Sequence, residues 1–221
     1  MNPVLPRMIP FATFVALLAL EPGLDKLAPS LDVDPKWWYA ARTAMVACML
    51  ASFWKSYAEL GSIRGMRTLD CLIAAAVGTA VFVLWIHLDV EPLALRDASG
   101  YDPRTLQGRI DWGLAVTRLL GAAAIVPLIE ELFWRSFLMR WIKRSDFLKV
   151  VPSEAGGKAL AISALLFGLE HHLWFAGLLA GLAYGWLFMR TGNLWSAIAA
   201  HAITNGMLGV WVLRTGNWQF W

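Results

Sequence analysis

The sequence predicts an all-α, polytopic membrane helix bundle. Of its 221 residues, 58% are hydrophobic and 16% charged, the mean hydropathy is +0.55, and the apolar residues gather into runs separated by Pro-, Asp- and Gly-rich loops. A soluble domain typically carries about 25% charged and 45–50% apolar residues. These figures exclude disorder and a disulfide-stapled secreted mini-domain. Cys48 and Cys71 lie in or at the edge of apolar runs, so neither a disulfide framework nor a CxxC metal site is readable. The net charge of +3 is too small and dispersed for nucleic acid. The partner expected from composition is the lipid bilayer, and residues 1–221 read as a single membrane domain.

Crossing roughly 30 Å of hydrocarbon takes about 20 apolar residues. In chain order, Met8–Leu20 is short and carries Pro10, and Trp37–Trp54 and Leu69–Leu88 are fuller. Trp112–Ile129 continues without a break into Leu132–Ile142, and Ala159–Leu169, Leu173–Met189 and Leu194–Leu213 complete the set. EPGLDKLAPSLDVDP, DVEPLALRDASGYDPR and RSDFLKVVPSEAGGK read as loops. Trp37, Trp38, Tyr39, Trp54, Trp141, Trp218 and Trp221 cluster at run ends, as interface belts do. Arg7 before the first run gives it the outline of a signal peptide. Glu21 and Pro22 follow instead of small cleavage-site residues, so a retained membrane helix is expected.

If all runs span, one side receives Arg7, Lys55, Arg64, Arg67, Arg140, Lys143, Arg144, Lys149, Lys158 and Arg190. The other receives Lys26, Lys36, Arg96, Arg104, Arg109 and Arg214, together with acids that include Asp32 and Asp97. The positive-inside rule then puts the N-terminus in the cytoplasm. Ionisable groups inside the runs are costly and mark function or a buried partner. Arg42, Arg118, Glu170 and His87 sit near run ends and read as structural or interfacial charges.

Three constellations resist that reading. In Glu130-Glu131-Leu-Phe-Trp-Arg135, Glu131 and Arg135 are i and i+4 in the favourable order for an ion pair. Adjacent carboxylates point about 100° apart on a helix and so are not expected to serve one partner. Glu130 is therefore left without a local cation, and a poorly solvated carboxylate suits proton transfer near neutral pH. Pro127, one turn earlier, removes a backbone hydrogen bond and predicts a bend that admits water. In Phe167-Gly-Leu-Glu-His171, the i, i+4 spacing puts the Phe167 ring beside His171 rather than His172. In His201-Ala-Ile-Thr-Asn205, the same spacing offers two polar groups on one helix face, for an oxyanion, a metal or an interhelical hydrogen bond.

EExxxR, FxxxH and HxxxN, in this order on three separate runs, make the chain resemble the CPBP intramembrane protease family, also called CAAX prenyl endopeptidase-like or Abi. The resemblance covers roughly residues 111–213 as a catalytic core, and residues 1–110 carry no readable motif. VPLIEELFWRSFLMRW and the Trp-rich end GVWVLRTGNWQFW also look like the CAAX-protease-related proteins that accompany bacterial exosortase (PEP-CTERM) sorting systems. The resemblance implies seven to eight transmembrane helices around a polar intramembrane cavity, in a bacterial inner membrane. It implies an endopeptidase in which Glu130 and His171 activate water, His201 and Asn205 hold the oxyanion, and Glu131, Arg135 and Phe167 support the site. The implied substrate is a membrane-anchored or C-terminally sorted protein.

HExxH is absent, so a zincin helix is excluded. Glu130, His171 and His201 still suit a two-His-one-carboxylate set for a divalent metal such as zinc. Asn205 is a poor zinc ligand, and a metal-free mechanism without a cofactor is favoured. A non-catalytic scaffold or immunity factor is the first alternative, but it has no need of an uncompensated Glu130. A proton-coupled transporter is the second, and the internal repeat such proteins often show is not visible.

Overall fold

The computed structural model describes residues 2–31, 33–61, 65–94 and 100–221. Among them the regular structure is helical, in seven long helices: α1 Val4–Leu31, α2 Trp38–Phe53, α3 Thr68–His87, α4 Trp112–Lys143, α5 Gly156–Glu170, α6 Trp174–Thr191 and α7 Leu194–Thr215. Each overlaps an apolar run to within a residue or two at the run's ends, and α4 covers the two joined runs. Four of them (the Val4–Lys26 part of α1, then α3, α4 and α7) are long and apolar enough to cross a membrane by length and composition. The helices α2 and α5, of 16 and 15 residues, are shorter than a full span. Arg64, Arg96, Asp32 and Asp97, counted above for orientation, lie outside the described residues.

Successive helices run up and down between two ends. At one end Arg7 donates to Glu59 Oε2 at 2.6 Å and to Ser136 at 3.3 Å, and Arg140 lies 3.6 Å from Glu59. The start of α3 and the end of α6 meet at this end through Asp70 and Arg190, 3.6 Å apart. At the other end Lys36 donates to the Arg104 carbonyl, Tyr101 to the Lys36 carbonyl, and Trp174 to the Pro92 carbonyl. This alternation follows the two charge groups read from the loops.

Three expectations change. The stretch Glu21–Ser30, read as loop, continues α1. Glu21 pairs with Arg42 of α2, whose guanidinium also lies 4.6 Å from the Phe14 ring, so tertiary pairing outweighs the local breaker Pro22. Tyr39 and Trp221, expected in an interface belt, are buried, whereas Trp37, Trp54 and Trp141 are exposed as such a belt requires. Arg7, read only as a topological cation, is 1% exposed.

Helix α4 is widened by π-helical turns at Gly121–Ile125 and Leu132–Met139, on either side of the Pro127–Glu131 turn. π-bulges are rare and often mark functional sites. Helices α5 and α6 pack backbone to backbone: a Cβ on Gly168 would meet the Trp174 carbonyl at 2.6 Å, and one on Gly181 would meet Ala164 Cα at 2.8 Å. Close approach through small residues is the characteristic packing of membrane helices, where lipid supplies no hydrophobic drive.

Candidate active site

The three motifs converge on the wall of one cavity of about 960 Å³. Glu131 is fully buried, and its Oε1 accepts both from Arg135 Nη1 at 3.0 Å and from His201 Nδ1 at 2.9 Å. The Arg135 guanidinium lies 4.4 Å from the Phe167 ring centroid and 5.4 Å from that of Tyr184, and its Nη2 reaches the Gly181 carbonyl at 3.4 Å. Glu131 is thus held from both sides.

Glu130 is 6% exposed and lines the cavity, and its Oε2 is buried with no hydrogen-bond partner. That oxygen stands 3.9 Å from His201 Nε2. One imidazole therefore lies between the two diverging carboxylates: its Nδ1 hydrogen-bonds Glu131, and its Nε2 stands near Glu130 without a hydrogen bond. With Nδ1–H given to Glu131, the tautomer of neutral His201 is set and Nε2 faces Glu130. The same ring stacks on Tyr184 at 5.0 Å and 19°. Tyr184 donates to Thr204 at 2.7 Å, and Thr204 donates on to the Gly78 carbonyl at 2.8 Å.

His171 is not on a helix with Phe167, as the i, i+4 argument assumed. Helix α5 ends at Glu170, and His171 caps it in an extended conformation. The rings still meet, at 4.7 Å, because His171 Nδ1 bonds the Phe167 carbonyl at 2.8 Å. A carbonyl only accepts, so Nδ1 carries the proton and Nε2 is the basic nitrogen. Trp85 of α3 packs edge-on against the ring at 5.3 Å.

Asn205 donates from Nδ2 to the Ala122 carbonyl at 2.9 Å. The backbone explains this contact. Val126 N–H goes to the Gly121 carbonyl in the π register, and the next residue, Pro127, has no N–H to give Ala122. Asn205 fills the vacancy, leaving its second amide hydrogen for another acceptor.

Glu170, Arg42 and Arg118, read as bland run-end charges, all line this cavity. His87, on the exposed end of α3, bonds the Val83 carbonyl at 2.7 Å, as a structural histidine does. Tyr184 and Thr204 carried no sequence signal, because a hydrogen-bonded pair on different helices has no spacing rule. Glu170 carried one, its position beside His171. Among the described residues, no three His, Cys, Asp or Glu side chains converge to hold a metal ion. In both His171 and His201 the Nδ1 atom is engaged, by the Phe167 carbonyl and the Glu131 carboxylate, which leaves Nε2 for a proton or a metal ion.

Residues 112–207 match the family model described as type II CAAX prenyl endopeptidase Rce1-like. This segment is similar to the type II CAAX prenyl endopeptidases of the Rce1-like family. The matched segment holds all three motifs and helices α4 to α6, with most of α7. Helices α1 to α3 lie outside it, yet α3 supplies Trp85 to the CAAX-protease-like site. No curated protein and no solved structure matches the chain.

Proposed function

We propose that the protein is an intramembrane endopeptidase that uses a glutamate- and histidine-activated water to cleave a membrane-associated protein. The observation that carries this reading is Glu130: a buried carboxylate oxygen with no partner, on the wall of a cavity that also receives His171, His201 and Asn205. Glu131 also has a bare buried oxygen, Oε2, but its Oε1 is bound by both Arg135 and His201 as a structural carboxylate in a membrane requires, whereas Glu130 makes no hydrogen bond among the described residues.

In this mechanism a water in the cavity gives a proton to Glu130, with the basic Nε2 of His171 assisting. The resulting hydroxide adds to the scissile carbonyl carbon. The proton that Glu130 takes from water passes to His201 Nε2, 3.9 Å away, and the Glu131 carboxylate stabilises the resulting imidazolium, which donates from Nε2 to the oxyanion beside the second amide hydrogen of Asn205. The C–N bond then breaks, and that proton returns through Glu130 to the leaving nitrogen. No step is routed through a metal.

We further propose a membrane-anchored or C-terminally sorted substrate in a bacterial inner membrane, with the N-terminus of this chain in the cytoplasm. The loop-charge bias supports that orientation. The Trp-rich C-terminus and the α4 string support a link to exosortase sorting. The test is to label new protein termini in membranes carrying wild type or Glu130→Gln at equal abundance. The reading expects at least one membrane protein cleaved only by wild type. Identical termini in both samples would reject hydrolysis.

A further inference from the structure

The cavity has a charge polarity that this mechanism does not use. Glu130 and Glu170 line it beside the three motifs, and Arg42, Arg118 and Lys36, with Glu21 and Asp25, line it towards the end formed by Lys36 and Tyr101, which is the more positive end. Arg42 is neutralised by Glu21. Arg118 has no ion-pair partner among the described residues, and its Nε is buried without a hydrogen bond. It is held between aromatic faces, 4.2 Å from the Tyr39 centroid and 5.5 Å from that of Tyr101. Ring faces steady a guanidinium but accept none of its N–H groups in the plane of the fork, which matches a carboxylate. A cation left so in a membrane domain is costly, and such groups mark ligand paths.

Arg118 and Glu130 lie on the same helix. Twelve residues of helix rise about 18 Å, a span covered by about five residues of extended peptide. We propose that Arg118 is the specificity-determining residue of the cavity, receiving the C-terminal carboxylate of a peptide whose scissile bond lies about five residues upstream, at Glu130. This rests on the endopeptidase reading. The acids around the scissile bond repel a carboxylate and Arg118 attracts it, so a chain end can enter in one register only. A lipid phosphate would satisfy the same guanidinium but would leave the remaining length of the cavity unfilled.

The experiment measures binding to purified Glu130→Gln protein in maltoside micelles, which contain no phosphate. The probes are a fluorescent short apolar peptide ending in a free carboxylate and the same peptide ending in a carboxamide. The carboxylate form is expected to bind about 10- to 100-fold more tightly, the effect of one charge-assisted contact. The preference should vanish in Glu130→Gln/Arg118→Gln and return in part in Glu130→Gln/Arg118→Lys. Equal binding of both probes, or binding of neither, overturns the proposal, and it does so without any need for an Arg118 variant to fold. Arg118-dependent binding of short-chain phosphatidic acid, with no carboxylate preference, also overturns it and identifies phosphate as the ligand. Cleavage by wild type without carboxylate preference would sink this inference alone. Carboxylate preference without cleavage would sink the endopeptidase reading instead.

Discussion

Asn205 has two tasks that the HxxxN spacing does not separate. It donates to Ala122, whose carbonyl Pro127 and the π turn leave unpaired, and in the proposed mechanism it donates to the oxyanion. Asn205→Ala should therefore lower both turnover and stability: about 10²–10³ in kcat for a lost oxyanion donor, and about 1–3 kcal/mol for an orphaned buried carbonyl. Pro127→Ala restores a backbone N–H in reach of that turn. Added to Asn205→Ala, it should recover thermal stability in a melting scan while kcat stays low. Recovery of both, or of neither, would show that the two tasks are wrongly assigned. At this scale Glu131–Arg135 and His201–Asn205 were legible from their helical spacing, whereas Phe167 and His171 meet through the bond from His171 Nδ1 to the Phe167 carbonyl at the helix end. The bond between Glu131 and His201 was not legible. It joins residues 70 positions apart, and no local period encodes such a contact.

Among the elements, α4 is set by its breaks and the α5–α6 pair by its small residues. The seven apolar runs foretold seven helices, since hydrophobic length survives almost any local detail. The end of α1 was not foretold, because its continuation past Pro22 accompanies a pairing of Glu21 with Arg42 of another helix. The π turns were equally hidden, since α and π registers share nearly the same apolar face. At the α5–α6 contact, Gly168→Ala places a methyl 2.6 Å from the Trp174 carbonyl and 2.8 Å from the Leu178 nitrogen. Backbone atoms cannot swing away, so the helices must separate beside His171. The variant should lose about 1–3 kcal/mol, the usual cost of overpacking, and lose activity with it. Gly157→Ala on the same helix meets nothing within 4 Å and serves as the control. Equal melting temperatures for the two variants would contradict the packing account.

For the whole molecule, the N-terminal helices are tied to the protease-like core by charge. Glu59 sits in a short turn between α2 and α3 and meets Arg7 of α1 and Arg140 and Ser136 of α4. Burial pushes its carboxyl up, but the Arg7 guanidinium and the Ser136 hydroxyl outweigh this and hold it below the usual carboxylate range. A carboxyl depressed on folding stabilises fully above its unfolded value of about 4.3 and ceases to do so as pH falls through its folded value. Glu59→Gln should then cost about 3–5 kcal/mol near neutrality, as breaking a buried pair does. The gap between wild type and variant should close below about pH 4. A gap constant with pH would remove Glu59 from the link between the two halves. Sequence placed Arg7 and Arg140 at the same end but gave no hint of Glu59, a single acid in a loop of no particular pattern.

The central claim is a division of labour between neighbouring carboxylates, Glu130 for chemistry and Glu131 for structure. It is tested by measuring the melting temperature and cleavage rate of Glu130→Gln and Glu131→Gln in one membrane-mimetic preparation, with a substrate identified from the labelled termini. Glu130→Gln should melt with wild type and lose about 10²–10⁴ in rate, the usual worth of general acid–base catalysis. Glu131→Gln should melt lower by the equivalent of about 3–5 kcal/mol, because Arg135 and His201 lose a shared buried partner. If Glu130→Gln cleaves at the wild-type rate, or if the two variants destabilise the protein equally, the account is wrong.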